Sequence, residues 1–195
     1  YSLSVPWYWN VAENYDATLT PTYYSKRGAR LDTEVRYLDP FGKAQLDVAY
    51  LPDDMEFGTD RSLVKFVDQS DFTKHLRLDI DASNASDDQW FQDFGMGPEG
   101  TSVTYLNRSA NLTYLDDNWL AILTAQNFQT IDFPINGQTM LVPPQQRPYT
   151  LLPQMAVRAA FPDQAFGLTW ATDMEMGYFD HNVDGLVTGW RADVA

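Results

Sequence analysis

The chain alternates apolar and polar residues with a period of two along much of its length. In residues 29–37 the odd positions carry alanine, leucine, threonine, valine and tyrosine, while every even position is charged. Residues 75–83 and 166–176 repeat this split, and weaker versions occupy residues 15–23, 44–50, 103–115, 119–128 and 151–161. Because successive side chains of a strand point to opposite faces, the pattern predicts strands with one apolar and one polar face.

Short turn-forming segments separate these predicted strands. They are Lys26-Arg27-Gly28, Asp39-Pro40-Phe41-Gly42, Asp116-Asp117-Asn118 and Pro162-Asp163-Gln164. Connections this short join antiparallel neighbours, so the sequence predicts a meander of hairpins. Longer connections, through residues 52–60, 87–100 and 132–148, are predicted to be loops that have room for local structure.

Strand length distinguishes between two all-β architectures. We predict about ten or eleven strands of roughly nine to twelve residues, whereas strands of globular sheets average five or six. A strand that crosses the hydrocarbon layer at a tilt needs ~9–11 residues, and strands of a soluble β-sandwich tend to be shorter. The predicted fold is therefore an antiparallel up-and-down meander, part of a transmembrane outer-membrane β-barrel, with residues 1–195 as one unit.

Aromatic residues and charged residues both bear on this prediction. The aromatic residues at or near predicted strand ends are Trp7, Tyr8, Trp9, Tyr37, Tyr50, Trp90, Phe91, Trp119 and Trp190. Such placement is typical of the aromatic girdles of membrane barrels, although aromatic residues are common in any strand. The charged rows cannot face lipid without a cost of a few kcal/mol per residue near the midplane, so they must face water or a protein plug. A hydrated lumen and a sheet with one face in bulk solvent both satisfy that requirement.

Composition excludes several classes of protein. A hydrophobic content of 44% argues against disorder, and no apolar run reaches the ~18 residues of a helical membrane span. The net charge of −14 repels nucleic acid, so no nucleic-acid partner is predicted. The absence of cysteine excludes disulfides and thiolate chemistry within this segment.

Candidate catalytic and metal-binding residues are few. His75 and His181 lack metal-ligand spacing, and the acidic pairs such as Asp53-Asp54 and Asp87-Asp88 occur at predicted turns, which favour aspartate. The glycine-rich residues 95–100 lack the Lys-Ser/Thr of a phosphate loop, and 180–184 lacks the glycine and glutamate of a calcium loop. We therefore predict no catalytic residue, no cofactor and no metal, and a protein that is not an enzyme.

Residues 5–21, with Pro6, Trp7, Asn10 and Pro21 in order, resemble the entry into the barrel of the LptD family, also called organic solvent tolerance proteins. The similarity continues through residues 23–28, 34–38 and 50–54, and then thins to residues 90–94 and 126–129. The resemblance implies an outer-membrane translocon that receives lipopolysaccharide from a periplasmic Lpt bridge and delivers it to the outer leaflet. It also implies an LptE lipoprotein plug inside the barrel and contact with outer-membrane lipids.

Family barrels have more strands than this chain provides, a periplasmic jellyroll before the barrel, and cysteines that this chain lacks. We therefore expect the chain to be a fragment, the N-terminal portion of the barrel. By the resemblance, Pro6 and Pro21 lie in the first two barrel strands and mark a lateral gate, because proline has no N–H to donate to a strand ladder. Taken alone, each proline could simply begin or end a strand. A passive porin, an outer-membrane lipase and a soluble β-sandwich binding module remain as alternative functions.

Overall fold

The structure is a computed structural model, and it describes residues 1–95, 103–135, 138–140, 142–143, 146–181 and 188–195. A twelve-stranded antiparallel sheet dominates it, accompanied by a separate two-stranded hairpin and one short α-helix. The strands are β1 (Ser2–Ser4), β2 (Trp7–Ala12), β3 (Tyr15–Tyr24), β4 (Gly28–Asp39), β5 (Gly42–Leu51), β6 (Arg61–Asp71), β7 (Leu76–Ala85), β8 (Tyr105–Leu115), β9 (Trp119–Thr130), β10 (Phe133–Ile135), β11 (Gln138–Met140), β12 (Thr150–Gln164), β13 (Leu168–Asp180) and β14 (Gly189–Val194). The helix α1 spans Trp90–Phe94, and none of the helices in the described ranges is long and apolar enough to cross a membrane.

The strands follow one another through the sheet in the order of the chain. From β3 to β9 each strand pairs with the next, and β12, β13 and β14 continue the sheet after the hairpin of β10 and β11. The predicted all-β antiparallel meander is confirmed. The sheet is not closed, because β14 and the pair β1 and β2 form its two edges. The longest strands, β12 and β13, have 15 and 13 residues, which exceeds the ~9–11 that a membrane crossing requires.

The turn predicted at residues 39–42 forms as a tight connection between β4 and β5. The Asp39 carboxylate accepts hydrogen bonds from the backbone N–H groups of Phe41 and Gly42 at 2.8 and 2.7 Å. A Cβ on Gly42 would lie 2.0 Å from the backbone oxygen of Gln69, so no other residue fits there without moving β6. The sequence of this turn is thus set by local hydrogen bonding and by close approach of the next strand.

Two predicted loops contain secondary structure. The connection after β7 holds α1, and the connection after β9 holds the hairpin of β10 and β11. The glycine-rich segment is described only at Gly95, and residues 182–184 of the segment compared with a calcium loop also lie outside the described residues. His75 lies in the turn before β7 and not in a strand, where its Nδ1 is 2.8 Å from the Leu115 carbonyl oxygen.

The register gives the sheet an apolar face and a polar face. Cross-strand pairs such as Val35 with Leu46, Leu46 with Phe66, Leu112 with Leu123, and Met155 with Met176 lie on what we call the outer face. Pairs such as Asp16 with Arg36, Glu34 with Asp47, and Arg158 with Asp173 lie on the opposite, inner face. The predicted alternating runs therefore contribute most of their apolar rows to one continuous surface. The exceptions are Leu151, which a register shift places on the inner face, and Phe166, which lies in the turn before β13.

The outer face has no second protein layer over it in the described residues. Leu31, Leu123 and Met155 remain 41%, 45% and 45% exposed, although each lies in the apolar row of its strand. A β-sandwich would bury that row against another sheet. The exposed row is typical of a barrel wall that faces lipid.

Aromatic residues collect at the two ends of the outer face. We call the end with the connections 40–41, 116–118 and 165–167 the turn end, and the end with the connections 52–60, 86–104 and 131–149 the loop end. The outer aromatic residues at the turn end are Tyr15, Tyr37, Tyr114, Trp119, Phe161 and Trp170, and those at the loop end are Tyr23, Tyr50, Tyr178 and Trp190. Trp90 belongs to neither girdle, because it is 3% exposed and packs within the protein.

The face assignment predicts opposite effects for neighbouring substitutions in β9. Leu123→Lys puts a charge on the apolar outer face near the middle of the strand and should destabilise the folded barrel by about 2–4 kcal/mol. Thr124→Lys lies on the inner face and should cost only about 1 kcal/mol, from the lost hydrogen bond to Asn111. Urea unfolding of the full-length protein in lipid vesicles measures both values. Equal losses for the two variants would contradict the assignment.

Candidate functional site

The first two strands act as a single edge strand. Ser4 of β1 pairs with Thr22, and Trp7 of β2 pairs with Leu19, so both strands keep the same register on β3. They are separated only by Val5 and Pro6. We call residues 2–12 the edge strand. It is interrupted at Pro6, because proline has no N–H to donate to a strand ladder.

Pro21 lies within β3 and removes a hydrogen bond from the ladder that holds the edge strand. In the shared register Val5 lies opposite Pro21, and the Val5 N–H donates to the Pro21 carbonyl oxygen at 3.2 Å. Residues directly opposite in such a position normally exchange two bonds. The return bond cannot form, because Pro21 has no N–H.

Pro6 removes a donor from the other side of the edge strand. It lies opposite Thr20, at the next position of the shared register. Since backbone groups alternate in direction along an antiparallel strand, the Pro6 nitrogen points away from β3 and toward the free edge. Pro21 therefore removes a hydrogen bond between the edge strand and β3. Pro6 removes a donor on the free side of the edge strand, where no strand is paired with it. The structure brings the two predicted residues together, and their role as a gate stays a prediction.

The inner face beside the edge strand is polar. Asp16 accepts two hydrogen bonds from Arg36, at 2.9 and 3.0 Å, and one from the Tyr8 hydroxyl at 3.3 Å. A groove on this face continues over β5 and β6 past Gln45, Asp47, Lys65 and Gln69. This arrangement gives the inner face many hydrogen-bonding groups that water or a sugar could use.

A buried ion cluster closes the inner face at the loop end. The Arg61 guanidinium, fully buried, contacts Asp54 at 3.1 Å, Asp87 at 2.7 Å and Asp93 at 2.6 Å. Arg27 contacts Asp54 at 2.7 Å and Asp93 at 2.9 Å, so two arginines share two of the carboxylates. We call these five residues the ion cluster. It ties the turn after β3, the loop after β5 and the segment that carries α1.

Aromatic rings surround the ion cluster and hold α1 against the sheet. The Arg61 guanidinium carbon lies 4.3 Å from the Phe57 ring centre, 5.1 Å from that of Phe94 and 5.7 Å from that of Trp90. Trp90 packs in a small core with Ala85, and Leu63 of the inner face packs against that core. Cation–π contacts and carboxylates together satisfy a charge that would otherwise be costly to bury.

The ion cluster keeps its loop carboxylates ionised. Burial opposes ionisation of Asp54, but hydrogen bonds from the Glu56 backbone N–H, Arg61 and Arg27 outweigh it and lower the pKa of Asp54. Burial also opposes ionisation of Asp87, and hydrogen bonds from Arg61 and Ser86 lower its pKa. Asp88 differs, because burial raises its pKa. Asp54 and Asp87 are therefore charged members of the cluster well below neutral pH.

Sequence reasoning treated Asp54 and Asp87 as turn residues and missed the ion cluster. The available signal was Arg61, a charged residue that begins a strand and lies between two acidic connections. Among the described residues, no group of three or more acidic or histidine side chains is arranged to hold a metal ion. His181 is buried and its Nε2 lies 3.0 Å from the Arg147 carbonyl oxygen.

Comparison with known proteins is consistent with this geometry. A family model described as LptD, LPS transport system D, matches residues 59–195. The chain is 36% identical over 191 residues to the LPS-assembly protein LptD of Nitrosococcus oceani, covering 98% of this chain and 25% of that protein. It is 34% identical to the protein of the same name from Aromatoleum aromaticum, covering 92% of this chain and 21% of that protein. It is also 34% identical to the one from Legionella pneumophila, covering 84% of this chain and 21% of that protein. The chain thus spans about a quarter or less of the length of these relatives.

Removing Arg61 should release α1 from the sheet. Arg61→Leu leaves carboxylates buried without their partner, and we expect a loss of about 3–5 kcal/mol in stability. Urea unfolding and amide hydrogen exchange of residues 90–94 in the full-length protein measure this effect. Arg191→Leu is the control, because its pair with Asp193 is exposed and worth less than about 1 kcal/mol. Protection of residues 90–94 that survives in Arg61→Leu would show that the cluster does not hold the helix.

The ion cluster should also loosen in acid. Hydrogen bonds in the folded protein hold the pKa of Asp54 and of Asp87 below the ordinary aspartate value, about 3.9, that applies in the unfolded chain. Their stabilisation is therefore complete above about pH 5 and is lost as the pH falls through the lowered folded values. Hydrogen exchange of residues 90–94, measured from pH 7 to pH 2.5 and corrected for intrinsic rates, should show this step. An Asp54→Asn, Asp87→Asn double variant should lack it, and a step near pH 6 would contradict the assignment.

Proposed function

This chain belongs to the LptD family, and we propose on that premise that it forms the N-terminal part of the barrel of an outer-membrane lipopolysaccharide translocon. The observation that carries the proposal is a single antiparallel sheet whose apolar face is uncovered in the described residues and bordered by aromatic residues at both ends. Its relatives carry the name LPS-assembly protein. The role is transport, without a catalytic step.

The two faces of the sheet support different contacts with lipopolysaccharide. The outer face, with Leu46, Leu123 and Met155, faces the hydrocarbon of the outer membrane. The inner face, with Asp16, Arg36 and the polar groove, lines a wet lumen through which the sugars pass. A sheet with one lipid-compatible face and one hydrated face is what a barrel wall requires, because charges on the lipid side are costly.

The inner face also suits protein partners. Polar side chains across β4 to β6 offer donors and acceptors to the LptE plug inside the completed barrel. The periplasmic Lpt bridge supplies lipopolysaccharide through the jellyroll domain of the family, which this segment does not contain. Family membership supports both proposed partners, and the polar character of the inner face supports the first.

The edge strand forms one side of the lateral gate. In the completed barrel it meets the last strand, which lies outside this chain, and that seam lacks the donor of Pro6. Pro21 removes one ladder bond between the edge strand and β3, which lowers the cost of moving the edge strand aside. The acyl chains then leave sideways into the membrane while the sugars stay in the lumen.

Restoring the missing donors should close the gate. Pro6→Thr and Pro21→Thr together provide two backbone N–H groups, and we expect impaired export of lipopolysaccharide and greater sensitivity of cells to hydrophobic antibiotics. The measurement is the amount of newly made lipopolysaccharide that reaches the outer leaflet, in cells that carry the full-length double variant at the wild-type level. Pro40→Thr is the control, because Pro40 lies in a turn outside the ladder. Export at the wild-type rate in the double variant would refute the gate.

A further inference from the structure

Arg108 is unlike the other arginines of the chain. The sequence has nine arginines, and eight of them form an ion pair with a carboxylate. These eight are Arg27, Arg30, Arg36, Arg61, Arg77, Arg147, Arg158 and Arg191. Arg108 has no carboxylate within 4.0 Å among the residues that the structure describes. Its positive charge is therefore not neutralised there.

Arg108 also lies on the opposite face from the other basic residues of the strands. Its neighbours along β8 on the same face are Ala110 and Leu112, and it pairs with Ala82 of β7. The remaining basic side chains of the described strands lie on the inner face, as the pairs of Arg36 and Arg158 illustrate. Arg108 is thus the one basic residue on the outer face of the described strands.

The guanidinium of Arg108 is held in place by neutral acceptors. Nε donates to the Ser83 carbonyl oxygen at 3.2 Å, and Nη2 donates to Gln129 Oε1 at 2.9 Å and to Asn84 Oδ1. Gln129 is itself fixed, because Oε1 accepts from the Ala85 N–H at 3.0 Å and Nε2 donates to the Ala85 carbonyl oxygen at 2.8 Å. Nη1 has no hydrogen-bond partner in the described part of the chain. The site is thus positioned in advance and keeps two free N–H donors.

The position of Arg108 matches the level of lipid headgroups. It lies near the loop end of β8, and Asn84 and Gln129 lie near the same end of β7 and β9. Tyr50 and Tyr178 mark the aromatic girdle at this end on strands to either side. On β7 to β9 polar side chains take the place of girdle aromatics. An outward arginine is costly at the middle of a bilayer and nearly free of cost at its interface.

We propose that Arg108 binds the phosphate of an anionic membrane lipid at the loop end of the outer face. The two free N–H groups of Nη1 can donate to phosphate oxygens, and a lipid headgroup supplies the negative charge that Arg108 lacks. Ser83, Asn84 and Gln129 hold the rest of the guanidinium in place without neutralising its charge. The inference rests on the proposed function, since it takes the outer face to lie against lipid.

The test uses the full-length protein, purified with its plug lipoprotein and titrated with single lipids under native mass spectrometry. The wild type should bind phosphatidylglycerol at least tenfold more tightly than the zwitterionic phosphatidylcholine. Arg108→Gln keeps a side chain that can hydrogen-bond to Asn84 but removes the charge, and should abolish this preference, whereas Arg108→Lys should keep part of it. Arg158→Gln is the matched control, because Arg158 lies on the inner face and should leave the preference unchanged. Inorganic phosphate at equal concentration should not displace the lipid.

Three results would overturn the site. These are no preference in the wild type, a preference that Arg108→Gln retains, and displacement by inorganic phosphate alone. Quenching of Trp119 and Trp190 fluorescence by brominated lipids separates this failure from failure of the proposed function. Quenching without a headgroup preference would refute only the Arg108 site, and absence of quenching would refute both. The wild-type preference needs no variant, so the proposal stays testable even if Arg108→Gln fails to fold.

Discussion

Backbone hydrogen bonding between neighbouring strands is the constraint on which the other features of this sheet depend. A segment in hydrocarbon has no water to satisfy its N–H and C=O groups, so strands cross a membrane only as parts of a paired, closing sheet. The pairing also sets the faces, because a slip of one residue between β4 and β5 would move Leu46 inward and Asp47 outward. Hydrogen bonds and the separation of apolar from charged side chains therefore enforce the same register.

This constraint explains why Pro6 and Pro21 matter, because each lacks a backbone N–H. Elsewhere from β3 to β9 the ladders run without a register shift, whereas the edge strand is interrupted at Val5 and Pro6 and receives a single bond at Pro21. A missing donor matters most where no water replaces it. Register shifts also occur in β12, around Pro153 and Pro162, but β12 is paired on both sides. The edge strand pairs only with β3, so the missing donors of Pro6 and Pro21 lie at a margin of the sheet.

The sequence predicted the strands and their faces well, because alternation is a local property that neighbouring residues reveal directly. It did not predict the ion cluster, since Asp54, Asp87 and Asp93 approach Arg61 only when the connections after β5 and β7 fold over the inner face. Trp90 was placed with the girdle because it is aromatic and near a strand end, yet the helix that buries it has only 5 residues and little periodicity of its own. The pairing of Pro6 and Pro21 came from family resemblance and not from pattern.

The sheet accommodates the positive charges of Arg61 and Arg108 in two different ways. On the inner face a carboxylate partner is favourable, because Arg61 is buried away from water and three carboxylates replace its hydration. On the outer face, which we propose lies against lipid, a carboxylate would add a second charged group, so neutral amides are the better supports for Arg108. Such supports fix the guanidinium but leave its charge uncancelled. At a bilayer interface an outward arginine costs little, and an anionic lipid headgroup is the counter-charge that our proposal assigns to it.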